Sequence, residues 1–313
     1  MRYLKFVEPN FKCQVSGPSG DVYDKWLLFA NSEQEARDRL TSELFTVNKI
    51  EKYDFNDWRT RADRENSRAI AARNNSPYEY KQALWSEIKQ FLFFISHKKC
   101  GYCEANVWIV SSGHVEHYRP RRKVEEDPSH PGYYWLAYDV DNYIPCCENC
   151  NSARGKRNHF PLIAGSPRAI DCSGISDERT LLLNPFKIDP SLHLVCFGPD
   201  IADKFGQIEG LTPEGKESVK VYNLNRGDLV KARQKSYETL RLQLKLAQAS
   251  ADMDDSIRKR ILNELVTGEC EFSIMLRPVI VEWLEERRAN ERRKIAEATL
   301  IDESLKNDLK MLR

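Results

Sequence analysis

The sequence lacks the features that mark several broad classes of protein. No apolar run approaches the roughly 20 residues that a membrane-spanning helix needs, so neither a transmembrane segment nor a membrane partner is predicted. Basic and acidic residues nearly cancel, 48 against 47, which excludes a strongly basic surface over the whole molecule. The N-terminal residues show no apolar stretch of signal-peptide length, and the chain contains no internal repeat. We therefore expect a cytoplasmic protein.

The composition is that of an ordinary globular protein with several compact units. The 313 residues include 41% hydrophobic and 30% charged residues, enough to build cores and keep the chain in solution. We expect an α+β protein divided into a mixed α/β unit (1–75), a central domain (76–213) and a helical C-terminal region (214–313). The elements that suggest this division are strands at Met1–Glu8, Asp24–Ala30 and His193–Phe197, and helices after Ser32, at Tyr78–Ile95, Glu217–Tyr222, Arg226–Ala249, Asp254–Val266 and Glu271–Arg288.

Two Cys-x-x-Cys pairs, Cys100/Cys103 and Cys147/Cys150, lie 44 positions apart, counted from Cys103 to Cys147. In a reducing compartment such pairs predict metal ligation rather than disulfides. Four thiolates close a tetrahedral zinc site, so we expect a structural Zn²⁺ that holds a long insert between the pairs. Cys146 is an alternative to Cys147. The remaining cysteines are isolated, and we expect them to be buried thiols: Cys13, Cys172, Cys196 and Cys270.

The insert contains residues suited to phosphodiester hydrolysis. Glu116 and His117 are adjacent, and Asn151 directly follows the last cysteine of the second pair. A histidine can take a proton from water at neutral pH, and a divalent cation can neutralise charge on the phosphate and the leaving oxygen. The oxygen ligands Glu116 and Asn151 favour Mg²⁺ or Mn²⁺. His114 and His159 are further candidate ligands, for which an ordinary polar or phosphate-contacting role is the alternative.

Basic residues cluster on both sides of this insert, although the whole chain is nearly neutral. Such a cluster is typical of a groove that binds a nucleic-acid backbone without reading its sequence. A helix beginning near Asn151 and Ser152 would also direct its positive end at a phosphate. The predicted nucleic-acid-binding residues are Arg119, Arg121, Arg122, Lys123, Arg154, Lys156 and Arg157.

Taken together, Cys-x-x-Cys, Glu-His, Asn, Cys-x-x-Cys-Asn and the following basic residues resemble the HNH endonucleases. The strings VEHYRPRRK, YYWLAYDVDN, CENCNSARGKRNHFPL and LLLNP are similar to the HNH nucleases of Septu and retron-type anti-phage defence systems. The resemblance covers roughly Trp85 to Arg233. It implies a ββα-metal nuclease core and an ATPase protein partner.

The resemblance also implies a role for each motif residue. His117 would be the general base, Glu116 and Asn151 would bind the catalytic ion, and Asn142 would orient the histidine. The favoured substrate is DNA, while an RNA or transfer-RNA nuclease and a non-catalytic zinc-held binding module are the alternatives. An apolar stripe over 295–312 could pack within its own domain or against a partner, including another copy of the chain. We expect the aromatic residues Tyr133, Tyr134, Trp135 and Tyr138 to form a hydrophobic plug rather than a base-stacking platform.

Overall fold

The computed structural model describes residues 4, 6, 8–16, 20–27, 30, 32–42, 45–73, 78–107, 113–152, 155–249 and 271–311. It divides into two compact units, Met1–Lys231 and Ala232–Arg313. Three small antiparallel sheets lie among helices, so the predicted α+β class is confirmed. None of the described helices is long and apolar enough to cross a membrane.

The first sheet contains three strands in the order β2-β1-β3, where β1 is Phe11–Ser16, β2 is Val22–Leu27 and β3 is Thr46–Lys52. Alternate residues of β1 are buried against α1, Glu33–Ser42. Ser32 caps this helix as predicted, since its Oγ accepts from the Glu35 N–H at 3.1 Å. The predicted strand at Met1–Glu8 is wrong for its described residues, which are not in a strand.

Helix α2, Phe55–Ala72, was not predicted because charged residues interrupt its apolar face. Asp54 caps the helix by accepting from the N–H groups of Asn56 and Asp57 at 2.9 and 3.3 Å. Phe55, Trp58 and Ala62 are buried, and their spacing places them on one face. That face supplies one side of a core cluster in the first unit.

The other side of this core comes from two short helices, α3 (Gln82–Glu87) and α4 (Lys89–Ile95), where one helix was expected. The break lies at Ile88, whose φ of −94° and ψ of 1° are not helical. The apolar face continues from α3 to α4 across the break, because the residues on it are buried in the same cluster. The core cluster joins this face to α2 and to the central segment through Leu84, Trp85, Ile88, Leu92, Ala137, Tyr138, Val140 and Tyr143.

The central segment contains two paired strands and one turn of helix. Strand β4, His114–His117, is antiparallel to β5, Tyr143–Cys146, with His117 opposite Tyr143. Between them run two 3₁₀ turns, Tyr134–Leu136 and Val140–Asn142. Helix α5, Glu148–Asn151, follows directly and packs against β4. The chain order strand, strand, helix therefore surrounds the residues of the Glu-His motif.

Beyond α5, the first unit continues with a hairpin, one helix and the start of a second helix. Strand β6, Leu194–Cys196, lies within the predicted strand at His193–Phe197, and it is antiparallel to β7, Ile208–Gly210. Helix α6 covers Pro213–Val221, and α7 covers Gly227–Ala249. Further 3₁₀ turns occur at Cys172–Asp177, Pro190–Leu192 and Ala202–Lys204.

In the second unit, the end of α7 packs against α8, Ser273–Met311. Pro278 lies inside α8 rather than at its start. The two helices share an apolar cluster whose buried members are Leu240, Leu244, Leu276, Val279, Ile280 and Trp283. The predicted helix over 254–266 lies outside the described residues, as do the side chains of the stripe over 295–312.

Candidate metal-binding and catalytic site

The four predicted cysteines converge on one point of the first unit. Cys100 and Cys103 lie in a tight turn after α4, where the Glu104 N–H donates to the Cys100 carbonyl at 2.9 Å. Cys147 precedes α5 and Cys150 lies within it, so one helical turn presents both sulfurs. All four Sγ atoms lie within 4.8 Å of one another.

The spacing of these sulfurs fits a tetrahedral ion. The Sγ atoms of Cys103 and Cys147 are 3.8 Å apart. Zinc–sulfur bonds of about 2.3 Å in a tetrahedron give sulfur–sulfur separations of about 3.8 Å. The cluster could therefore hold a metal ion such as zinc. Cys146 is not one of these four, although its thiol contacts Cys100 and Cys150 as well as the Cys147 carbonyl at 3.3 Å.

The isolated cysteines differ in their surroundings. Cys13 is buried in the first sheet, as expected, and Cys196 is half-buried. Cys172 is exposed, so the prediction of a buried thiol is wrong there. It lies at the start of a surface 3₁₀ turn with no buried residue. Cys270 lies outside the described residues.

An arginine that sequence reasoning missed bridges the two cysteine pairs. Arg226 places Nη1 3.7 Å from the Cys150 Sγ and Nη2 3.7 Å from the Cys103 Sγ. Its Nε lies 3.3 Å from a carboxylate oxygen of Asp228. Arg226 is 76 positions from Cys150, so no local spacing could have connected them. It belongs to the segment VYNLNRGDLVKAR (221–233), which lies within the span of the resemblance and for which no role was predicted.

His117 ends β4 inside an aromatic pocket. Its ring meets Trp85 and Tyr143 edge to face, with centroids 5.3 and 5.2 Å apart. Nε2 lies 2.9 Å from the Ala137 carbonyl oxygen, which can only accept a hydrogen bond. Nε2 therefore carries the proton and Nδ1 carries the lone pair. Burial, followed by the charge of Arg121, lowers the pKa of His117 to about 3, so the ring is neutral at physiological pH.

Glu116 is paired with a lysine rather than exposed. Its Oε1 accepts from Lys156 Nζ at 2.9 Å, and the same ammonium donates to the His117 carbonyl at 2.9 Å. Burial raises the pKa of Glu116, and the charge of Lys156 opposes that change. Lys156 binds Oε1, so Oε2 is the oxygen left for a cation.

Asn142 acts on the backbone next to His117. Its Oδ1 accepts from the Arg119 N–H at 2.7 Å, while Nδ2 donates to the carbonyls of Arg119 and Leu136 at 3.0 and 3.2 Å. The Tyr118 N–H also donates to the Asn142 carbonyl at 2.8 Å. Asn142 therefore fixes the end of β4, and its side chain does not bond to the imidazole.

Asn151 is the last residue of α5 and is half-buried. Its side-chain amide makes no hydrogen bond to any residue that the structure describes, so it is available to a ligand. The predicted helix start at Asn151 and Ser152 is wrong, because α5 begins at Glu148 and Ser152 is extended. The chain then turns back, and the Lys156 N–H bonds to the Cys150 carbonyl at 2.9 Å. This turn carries Lys156 into the interior.

The predicted basic residues separate into interior and surface groups. Lys156 is fully buried, and Arg119 is paired at 2.8 Å with the buried carboxylate of Glu178, so both contact protein rather than solvent. Arg121 is half-buried. The remaining described members are exposed, namely Arg122, Lys123 and Arg157, while Arg154 lies outside the described residues.

The other candidate residues have simpler environments. His114 is exposed at the start of β4, and His159 Nδ1 is 2.8 Å from a Glu126 oxygen. The predicted aromatic plug is confirmed for its main members, since Tyr133, Trp135 and Tyr138 are buried.

Comparison with known proteins links this chain to two Septu proteins of Bacillus mycoides (strain KBAB4). It is 36% identical over 172 residues to Septu protein PtuB, which covers 53% of this chain and 55% of PtuB. It is 30% identical over 156 residues to Septu protein PtuA, covering 48% of this chain and 21% of PtuA. The chain thus spans about half the length of the first relative and about a fifth of the second. No protein-family model and no solved structure matches it.

Proposed function

We propose that this chain is a metal-dependent endonuclease of the HNH type that cleaves DNA in a Septu-type anti-phage defence system. The observation that carries the proposal is the fixed orientation of His117. Its proton is held on Nε2 by the Ala137 carbonyl, which leaves the Nδ1 lone pair to accept a proton from water.

The surroundings of His117 suit such a base. As the ring gains a proton, the Ala137 carbonyl stabilises the imidazolium through the bond at Nε2. A pKa of about 3 keeps the lone pair free at physiological pH, and a bound phosphate anion would raise this pKa. Asn142 holds the backbone after His117, so the ring keeps its position.

The donor set for a catalytic ion consists of Glu116 Oε2 and the Asn151 amide oxygen. Both are hard oxygen ligands of the kind that Mg²⁺ and Mn²⁺ prefer. When bound, the ion would neutralise charge on the phosphate and on the leaving oxygen. Lys156 fixes the carboxylate through its other oxygen, and the cysteine cluster with its metal would hold the whole segment together.

The defence role, the DNA substrate and an ATPase partner are parts of this proposal. Similarity to PtuB and PtuA supports the role in a Septu system. The HNH resemblance supports the activity, and the exposed Arg122, Lys123 and Arg157 support a nucleic-acid backbone as ligand.

The test is cleavage by the purified chain, alone and with a co-purified ATPase, using Mg²⁺ or Mn²⁺. Double-stranded DNA, single-stranded DNA, RNA and transfer RNA form the substrate panel. His117→Ala should reduce cleavage by at least a hundredfold, in the range expected for loss of a general base. His159→Ala is the matched control, because this partly exposed histidine pairs with Glu126, and it should cleave like wild type. Full activity of His117→Ala would show that another group is the base.

One observation favours a second candidate, a non-catalytic metal-held binding module. The carboxylate of Glu116 is already neutralised by Lys156, so the site is charge-balanced without a divalent ion. This candidate predicts DNA or partner binding with no cleavage of any substrate under any divalent metal. Cleavage that disappears in His117→Ala would exclude it.

A further inference from the structure

Arg121 is held rigidly at the edge of the His117 pocket. The Tyr80 hydroxyl donates to its carbonyl oxygen at 3.3 Å. On the other side, Gly132 has a φ of +86°, and a Cβ there would lie 2.7 Å from the Arg121 carbonyl carbon and 2.4 Å from that of Arg122. Only glycine allows this close approach. The backbone that presents the guanidinium is therefore fixed from two directions.

The guanidinium itself lies among aromatic rings. Its carbon is 4.5 Å from the ring centroid of Tyr80 and 5.1 Å from that of Trp85. Both distances fall within the range of cation–π contact. Trp85 in turn meets the imidazole of His117 edge to face. Arg121 and His117 thus contact the same indole.

Unlike Arg119 and Lys156, Arg121 pairs with no anion among the residues that the structure describes. Its Nη1 is buried and bonds to no acceptor among the described residues, and no described carboxylate oxygen lies within 4.0 Å of the guanidinium. By contrast, Arg119 pairs with Glu178 and Lys156 pairs with Glu116. A half-buried cation with an N–H that makes no hydrogen bond lowers the free energy of unfolding, unless a ligand accepts that hydrogen bond. Burial and the charge of Arg122 lower the pKa of Arg121, which agrees with an uncompensated charge.

We propose that Arg121 is the phosphate-binding residue of the site and places a phosphodiester next to Nδ1 of His117. The guanidinium presents a planar fork of donors that matches two phosphate oxygens. Its fixed position would allow it to bind the reacting phosphate, whereas the exposed Arg122 and Lys123 would bind flanking phosphates. This inference rests on the proposed nuclease function and adds a substrate-binding group to it.

Binding can be tested without activity. The full chain is labelled with 5-fluorotryptophan, and the ¹⁹F resonance of Trp85 is assigned with Trp85→Phe. Titration with the dinucleotide TpT, which carries one phosphodiester, should shift this resonance in wild type. Inorganic phosphate tests whether a free anion suffices, and acetate tests a carboxylate. The shift with TpT should disappear in Arg121→Gln. It should persist in the control Arg59→Gln, because Arg59 also stacks on an aromatic ring but is exposed and paired with Glu8.

Stability distinguishes ligand binding from a structural role. Because Arg121 has an unused donor, Arg121→Met should melt at the same temperature as wild type or higher. A structural arginine would instead lose stability on this exchange. In cleavage assays, Arg121→Gln should reduce kcat at least a hundredfold while changing the affinity for long DNA less than about threefold, as for loss of one transition-state donor.

These outcomes separate the inference from the proposed function. A TpT shift in wild type that Arg121→Gln abolishes supports Arg121 even if no cleavage is found, in which case the nuclease proposal alone fails. A Trp85 resonance that is unmoved by TpT, or moved equally in Arg121→Gln, overturns the inference. So does a kcat in Arg121→Gln equal to that of wild type.

Discussion

Replacing Arg226 with glutamine should weaken metal binding at the cysteine cluster by about 30-fold. The guanidinium reaches one sulfur from each cysteine pair, at 3.7 Å in both cases, and only 15% of its side chain is exposed. Four thiolates around a divalent ion leave two negative charges, so this cation both donates hydrogen bonds and reduces charge repulsion.

The magnitude follows from these two contacts. A net contribution of about 1 kcal/mol for each N–H···S contact gives about 2 kcal/mol in total, which corresponds to about 30-fold in affinity. Loss of a residue that hydrogen-bonds to a metal ligand commonly lowers metal affinity 10–100-fold, a range that includes the 30-fold expected here. Since metal binding also stabilises the fold, the metal-loaded protein should lose a similar free energy of unfolding.

Zinc affinity can be measured by competition with a fluorescent chelator, and stability by urea unfolding of the metal-loaded chain. Arg226→Lys keeps the charge but loses the fork, so its affinity should lie between those of wild type and Arg226→Gln. Asp228→Asn is the control, because this carboxylate is 65% exposed and touches only Nε, and it should change affinity less than threefold. Wild-type affinity in Arg226→Gln would refute the reasoning, as would an equal loss in Asp228→Asn.

Two further predictions concern the interior of the site. Cys100→Ser or Cys150→Ser should unfold the central segment as well as release zinc, whereas Cys146→Ser should keep both the metal and the fold. Circular dichroism measures the fold, and metal analysis measures the bound zinc. Zinc loss with an unchanged fold would contradict this prediction. Lys156→Met leaves the Glu116 carboxylate buried without a partner and should cost about 3–5 kcal/mol in urea unfolding. Adding Glu116→Gln to Lys156→Met should restore part of the lost free energy of unfolding. Equal stabilities of Lys156→Met and the double variant would show that Lys156 and Glu116 are not coupled.

The cysteine cluster was predictable because a two-residue spacing within a tight turn is a local property. Cys100 with Cys103, and Cys147 with Cys150, need only their own turns to present sulfurs together, and the structure brings both pairs to one point. Glu116 and His117 lie on β4, next to β5 and α5.

The partners of these residues were not predictable, because they are set by distant packing. Arg226 approaches the cysteines only after α6 and the following turn have folded against them. Lys156 belongs to a basic run of the kind that is typical of a surface, yet the turn after α5 directs its side chain inward to Glu116. Charge alone could not distinguish it from the exposed Arg157 next to it.

The 44 positions between Cys103 and Cys147 form a loop that a single ion would close. In the unfolded chain, a cross-link over a loop of this length removes conformational entropy worth about 4 kcal/mol at 25 °C. Glu116, His117, Arg121 and Asn142 all lie within that loop. Their mutual alignment would therefore depend on the zinc supply of the cell, and a chain made under zinc starvation would lose all four positions together rather than one at a time.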